Sequence, residues 1–163
     1  AMRQIYSEAL INCAWKAFLH VNLYSNTEFM ILPSLFITAS PGKGRGVFAG
    51  ENLLKGILIE MSPVIVMNKK ERELLDQTLL HDYIFLWGRH QEQCCVALGY
   101  LSLYNHDYQA NCDYEMDFDE LIIRITTVRD VRKGEELCIN YNGNWNDTKP
   151  VWFDQHGSDK NTH

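Results

Sequence analysis

From Leu35 onward the chain is cut into short runs suited to strands: SLFITAS, GVFAG, GILIEMSPVIVM, QCCVALGYLSL, CDYEMDF, LIIRITTVRD and ELCINY. Gly, Asn, Asp and Pro separate these β-rich runs, as they do where a chain turns from one strand into the next. The pattern predicts a mainly β protein with few helices, built as small antiparallel sheets. A single internal helix fits, over KKERELLDQTLLHDYIFL, where Leu74, Leu75, Thr78, Leu79 and Tyr83 recur at helical spacing behind a charged start. No repeat, low-complexity tract or linker interrupts the pattern.

The first thirty residues differ in character. In RQIYSEALINCAWKAFLHV, positions Tyr6, Leu10, Cys13, Ala17 and Val21 form one helical stripe too polar to span a membrane. Residues 1–30 are therefore expected to be a helical extension, an appendage or docking helix whose stripe could pair two copies into a homodimer. Residues 31–155 are expected to form the main domain and 156–163 a tail. Glu8 and Glu28 break the basic bias of an organellar targeting peptide.

A length of 163 residues suits one domain with a sizeable core. With 15 basic and 21 acidic residues the formal charge is -6, which speaks against direct nucleic-acid binding and favours a basic protein or peptide as partner. The five cysteines include no CxxC pair and no spacing that would close a zinc site, so no metal is expected. They also suggest no secreted disulfide framework, which implies an intracellular, reducing compartment and no membrane partner.

Three segments carry candidate chemistry. In PGKGRGVFAG, Gly42, Gly44 and Gly46 alternate and lead into a strand, which excludes a dinucleotide fold and a Walker loop. In LYNHDYQANCDYEMDFDE, Asn105, His106 and Asn111 follow an apolar strand, and each Asn offers a donor together with an acceptor. In KGEELCINYNGNW, a Lys133-Gly134 turn precedes a strand ending at Tyr141, a neutral hydroxyl at ordinary pH. Taken singly, these segments read equally well as a tight turn, a satisfied polar loop and a packed tyrosine.

In this order and spacing they resemble the signature of SET-domain protein lysine methyltransferases. The matching residues are Gly44-Arg45-Gly46, NHDYQAN from Asn105 to Asn111, and GEELCINY from Gly134 to Tyr141, within a likeness covering roughly residues 32 to 155. The resemblance implies short curved antiparallel sheets with a knot-like carboxy-terminal crossing, S-adenosylmethionine as cofactor, and methyl transfer to a lysine of a basic protein such as a histone. It implies that Gly44, Arg45, Gly46, Asn105 and His106 bind the cofactor, with Tyr83 at its pocket. Tyr141 matches the catalytic tyrosine and Tyr114 a second tyrosine of the lysine channel. Trp152, with Trp145 and Phe153, is expected to cover the adenine and the lysine entrance, since the flanking zinc modules of many members are absent.

Four positions depart from the family pattern. Asp107 stands for serine, Ala110 for proline, Asn140 for the aspartate before the catalytic tyrosine, and Met61 for a channel tyrosine. They leave a second reading open, a SET-fold binding module without turnover. Asp113, Glu115, Asp117, Asp119 and Glu120 alternate with Tyr114, Met116 and Phe118, which predicts an acidic face able to steer a basic peptide.

Overall fold

The computed structural model describes residues 29–151 and Asp154. The predicted extension up to Glu28, the tail at 156–163 and Trp152 and Phe153 lie outside these residues. Ten strands dominate: β1 (Met30–Ile31), β2 (Leu35–Ser40), β3 (Gly44–Ala49), β4 (Leu58–Met67), β5 (Ile84–Trp87), β6 (Gln93–Ala97), β7 (Asn105–His106), β8 (Cys112–Asp117), β9 (Ile122–Thr127) and β10 (Glu136–Ile139). They form one sheet in the order β5-β6-β4-β9-β8, with β1 beside β4, and a second in the order β2-β3-β10-β7. Pairing is antiparallel throughout except for β7 and β10, which run parallel with Cys138 opposite Asn105 and Ile139 opposite His106.

Alternation along the strands decides what is buried. Ile123 and Ile125 of β9, Val64 of β4 and Cys95 and Ala97 of β6 turn inward against Val47 and Leu137 of the second sheet, closing one core between the two sheets. Cys94 and Cys95 are both buried although they point to opposite faces of β6, because a helix covers the outer one. That helix, α1 (Lys69–Leu75), buries none of its own residues. Its start is set locally: Asn68 accepts from the backbone N–H groups of Lys70 and Glu71, and the Glu71 carboxylate accepts the Asn68 N–H at 2.8 Å, a reciprocal capping box.

The long helix expected over residues 69–86 is split. It ends at Leu75, a 3₁₀ turn (Leu79–Tyr83) follows, and Ile84–Trp87 becomes β5. Thr78 accounts for the break, since its hydroxyl accepts the Leu80 N–H at 3.2 Å and donates to the Leu75 carbonyl at 2.8 Å, ending one element and starting the next. IFLW then pairs with β6, a gain in cross-strand contacts that helical periodicity cannot register. Among the described residues no helix is long and apolar enough to cross a membrane.

Candidate active site

The second sheet carries the glycine-rich strand. Gly42 and Gly44 hold φ values of +75° and +82°, the left-handed region that glycine occupies without strain. Gly46 is needed for a different reason: a Cβ there would lie 2.2 Å from Glu136 Oε1 and 2.9 Å from Asn105 Nδ2. Those side chains meet across the strand, Asn105 Nδ2 donating to Glu136 Oε1 at 2.6 Å and to the Arg45 carbonyl at 3.1 Å. The other Glu136 oxygen accepts from Ser40 Oγ at 2.9 Å. Glu136 thus ties β2, β3, β7 and β10 together, a role that GEEL read as a plain strand start did not reveal.

Asn111 fastens the Asn-His segment to β10. It is 3% exposed, accepts the Cys138 N–H at 2.8 Å and donates to the Glu136 carbonyl at 2.7 Å. Burial pulls the His106 ring below its ordinary pKa, so the ring is neutral near pH 7. Its Nδ1 receives the Tyr141 N–H at 3.2 Å, which assigns the proton to Nε2. The His106 carbonyl accepts the Lys43 ammonium at 2.9 Å.

Tyr104 and Tyr141 both line a cavity of about 480 Å³. Phe85, Tyr114, Met116, Tyr83, Pro150 and Val151 line it as well. Tyr114 meets Phe85 edge to face with centroids 5.7 Å apart. Tyr141 donates its hydroxyl to the Tyr104 carbonyl at 3.0 Å. Burial pushes Tyr141 up to about 12, with the nearby Cys138, Asp82, Tyr83 and Glu136 adding to it, so the hydroxyl keeps its proton. Burial and the Asp113 charge likewise raise Tyr114.

The residues singled out in the sequence therefore fall into two groups. Gly44, Arg45, Gly46, Asn105 and His106 gather on the second sheet, whereas Tyr83 lies with Tyr114 and Tyr141 at the cavity. Met61 is 4% exposed and is not among the residues that line the cavity, whereas Phe85 is. Among the described residues no group of three or more His, Cys, Asp or Glu is placed to hold a metal ion.

The other departures are accommodated. Asp107 accepts the Gln109 N–H at 2.8 Å, an Asx turn that keeps the loop bent without proline at Ala110. Asn140 is 1% exposed, accepts the Asn142 N–H at 3.1 Å and donates to the Asp147 carbonyl at 2.6 Å; an ionised aspartate could not make the second bond. Asn142 donates to the Lys149 carbonyl at 2.6 Å and Tyr108 accepts the Val151 N–H at 3.0 Å. These bonds hold the segment that brings Pro150 and Val151 to the cavity. Tyr108 also pairs with Asp154.

Comparison with known proteins agrees with this geometry. The SET domain family matches residues 44–142. A histone-lysine N-methyltransferase of Schizosaccharomyces pombe, specific for H3 lysine-37, is 34% identical over 130 residues, 79% of this chain and 83% of that protein. A second from the same yeast, histone-lysine N-methyltransferase set9, is 31% identical over 99 residues, 60% of this chain and 20% of the relative. Among solved structures, a Plasmodium falciparum protein assigned as a histone methyltransferase superposes with TM-score 0.54 at 25% identity, covering 71% of this chain and 98% of that one. The Polycomb Repressive Complex 2 of Chaetomium thermophilum, in a humanized mutant form bound to an inhibitor, superposes with TM-score 0.58 at 21% identity, over 71% of this chain and 16% of that one.

Proposed function

The chain belongs to the SET domain family and is an S-adenosylmethionine-dependent protein-lysine N-methyltransferase; we propose that its substrate is a lysine in a basic segment of a histone. One observation carries the mechanism: a hydroxyl that keeps its proton, Tyr141, is fixed by the Tyr104 carbonyl at the wall of an aromatic cavity. A histone substrate places the enzyme inside the cell.

The residues present fit the cofactor. Its methionine end carries an ammonium and a carboxylate, and the His106 carbonyl already accepts one ammonium, that of Lys43. The Arg45 carbonyl, the Asn105 amide and the exposed Arg45 side chain supply further acceptors and donors beside it. In this reading Gly44, Arg45, Gly46, Asn105 and His106 hold that end of the cofactor. When bound, S-adenosylmethionine supplies a methyl group activated on a sulfonium.

The protein's remaining work concerns the amine. Lysine in water is almost wholly protonated and must lose a proton before it can accept a methyl group. The apolar wall of Phe85, Tyr114 and Met116 strips water from the ammonium and lowers its pKa, so the proton leaves to solvent through the open rim. Tyr114 and Tyr141 align the freed amine, and Tyr141, its proton committed to Tyr104, turns oxygen lone pairs toward the reacting centre. No general base is required, and Tyr141 is too weak an acid to be one near pH 7.

Calorimetric titration of S-adenosylmethionine tests the donor site without choosing a peptide. Asn105→Ala is expected to weaken binding by roughly tenfold, because it removes the bond that holds the Arg45 carbonyl in place. Undiminished affinity in the variant would move the donor site elsewhere. Binding without turnover on any histone peptide would favour the non-catalytic module.

Charge at the cavity bears on the substrate. Asp117, expected to steer a basic peptide, is engaged in the fold: it accepts from the Asp119 and Glu120 N–H groups and from Arg124 at 3.0 Å, and these bonds lower its pKa. Among the described residues that line the cavity, Asp82 is the charged one, and it is exposed. Asp82→Asn is expected to raise the KM for a basic histone peptide by about three- to tenfold at low salt with kcat unchanged, and the effect should fade as salt is added. A KM equal to that of the unaltered enzyme at every salt concentration would remove Asp82 from substrate capture.

A further inference from the structure

Glu60 is an acid in the core. It is 0% exposed and stands in the middle of β4, where an apolar residue of similar volume would escape the cost of desolvating a carboxyl. That cost shows in its pKa, which burial raises against the opposing hydrogen bonds of Ser62, Tyr104, Tyr100 and Leu101. An acid kept there against such a penalty calls for a reason beyond packing.

The geometry supplies one. Oε1 accepts three bonds, from Ser62 Oγ at 2.7 Å, the Tyr100 N–H at 2.8 Å and the Leu101 N–H at 3.0 Å. The two backbone bonds anchor the start of a 3₁₀ turn (Leu101–Leu103) that ends at Tyr104. Gly99 allows this approach: it has φ +138°, and a Cβ on it would lie 2.6 Å from Glu60 Oε1 and 2.4 Å from Ser62 Oγ. Oε2 and the Tyr104 hydroxyl are both buried with no well-formed hydrogen-bond partner, and the Glu60 charge is one of the causes, after burial, that raise the Tyr104 hydroxyl. The acid therefore holds Tyr104 through the turn that carries its backbone, with the Tyr104 hydroxyl in its electrostatic reach. Its carbonyl receives the Tyr141 hydroxyl at 3.0 Å.

We propose that Glu60 is a positioning residue for methyl transfer, acting through Tyr104 to set where the Tyr141 hydroxyl points. The proposal rests on the reading of Tyr141 as catalytic. Glu60 touches neither amine nor methyl donor. It fixes the carbonyl that claims the Tyr141 proton, and a displaced carbonyl would leave that hydroxyl free to donate into the cavity, where it would hydrogen-bond the attacking amine's lone pair and slow transfer. Glutamine keeps an oxygen for the turn's N–H groups but replaces the acid near the Tyr104 hydroxyl with an amide, so the turn survives while the surroundings of Tyr104 change.

The test is a double-mutant cycle with purified full-length protein, S-adenosylmethionine and a histone H3 peptide, measuring kcat and both KM values beside thermal midpoints. Glu60→Gln is expected to lower kcat by about tenfold with both KM values within about twofold, and to cost nothing further in a Tyr141→Phe background. An additive loss in the double variant, a loss confined to KM, or an unchanged kcat would each overturn the proposal, leaving Glu60 a structural residue. If Glu60→Gln does not fold, Tyr104→Phe serves in its place, because it deletes the buried hydroxyl that Glu60 influences and keeps the carbonyl. It should lower kcat by about threefold, and again not in the Tyr141→Phe background. Full kcat in Tyr141→Phe alone would instead strike at the catalytic reading, a failure distinct from that of Glu60.

Discussion

Tyr141→Phe is expected to reduce kcat on a histone peptide by on the order of a hundredfold, with little change in peptide KM and no loss of fold. The ring stays, so the cavity wall and its contact with His106 at 5.2 Å between centroids are retained. What goes is a single oxygen whose proton is donated to the Tyr104 carbonyl and which, in the proposed mechanism, turns its lone pairs to the reacting centre. The effect therefore falls on alignment and charge stabilisation in the transition state, which appears in kcat. The pH profile adds a second check. Tyr141 lies at about 12, so the rise in rate with pH in the unaltered enzyme belongs to the substrate amine, and Tyr141→Phe should lower the whole curve without shifting its midpoint. Mass spectrometry of the methylated peptide measures both, and a variant with full turnover would show that the hydroxyl is dispensable.

The largest effect on stability is expected at Asn111. Alanine there would strand the buried Cys138 N–H and the Glu136 carbonyl, the two groups that the Asn111 amide joins. Each unsatisfied buried group costs about 1–3 kcal/mol, so a total of about 2–6 kcal/mol follows, a fall in thermal midpoint on the order of 10 °C. Asn111→Asp keeps the acceptor and loses the donor, and should fall between the two. Calorimetric melting of the three proteins checks the order. Equal midpoints for Asn111→Ala and the unaltered protein would mean that β10 is held by its strand partners alone. Because Glu136 also receives Asn105, a loosened β10 should weaken cofactor binding in the same variant.

How much of this was legible beforehand depends on the distance over which each interaction acts. The capping box at Asn68 and Glu71 spans three residues and is written in the local sequence, yet the helix predicted beyond Leu75 was not formed. Apolar residues at 79, 83 and 86 suit a helical stripe, but pairing with β6 decided that stretch, and β6 begins at Gln93. The glycine-rich strand was recognisable from spacing. The reason for Gly46 was not, because it is the approach of Asn105 and Glu136, residues 59 and 90 positions away in the chain. Tyr83 was assigned to the cofactor by its place in a motif, whereas the break at Thr78 and the turn that follows carry it to the cavity.

The amino-acid sequence by itself determined that the chain would be mainly β, where most strands would lie, and that its three motif segments resemble those of the SET domain family. Alternation, turn residues and motif spacing are properties of near neighbours, and propensity acts at that range. Tertiary structure alone decided that Glu136 would join Ser40 to Asn105, that Asn140 would hold the Asp147 carbonyl, and that Glu60 would reach Tyr141 through Tyr104. Each of these is a hydrogen bond between groups that the fold, and not neighbouring propensity, brings together, from 7 residues apart for Asn140 and Asp147 to 96 for Ser40 and Glu136. Removal from water makes such a bond obligatory, and only the folded arrangement of the sheets specifies which partner satisfies it.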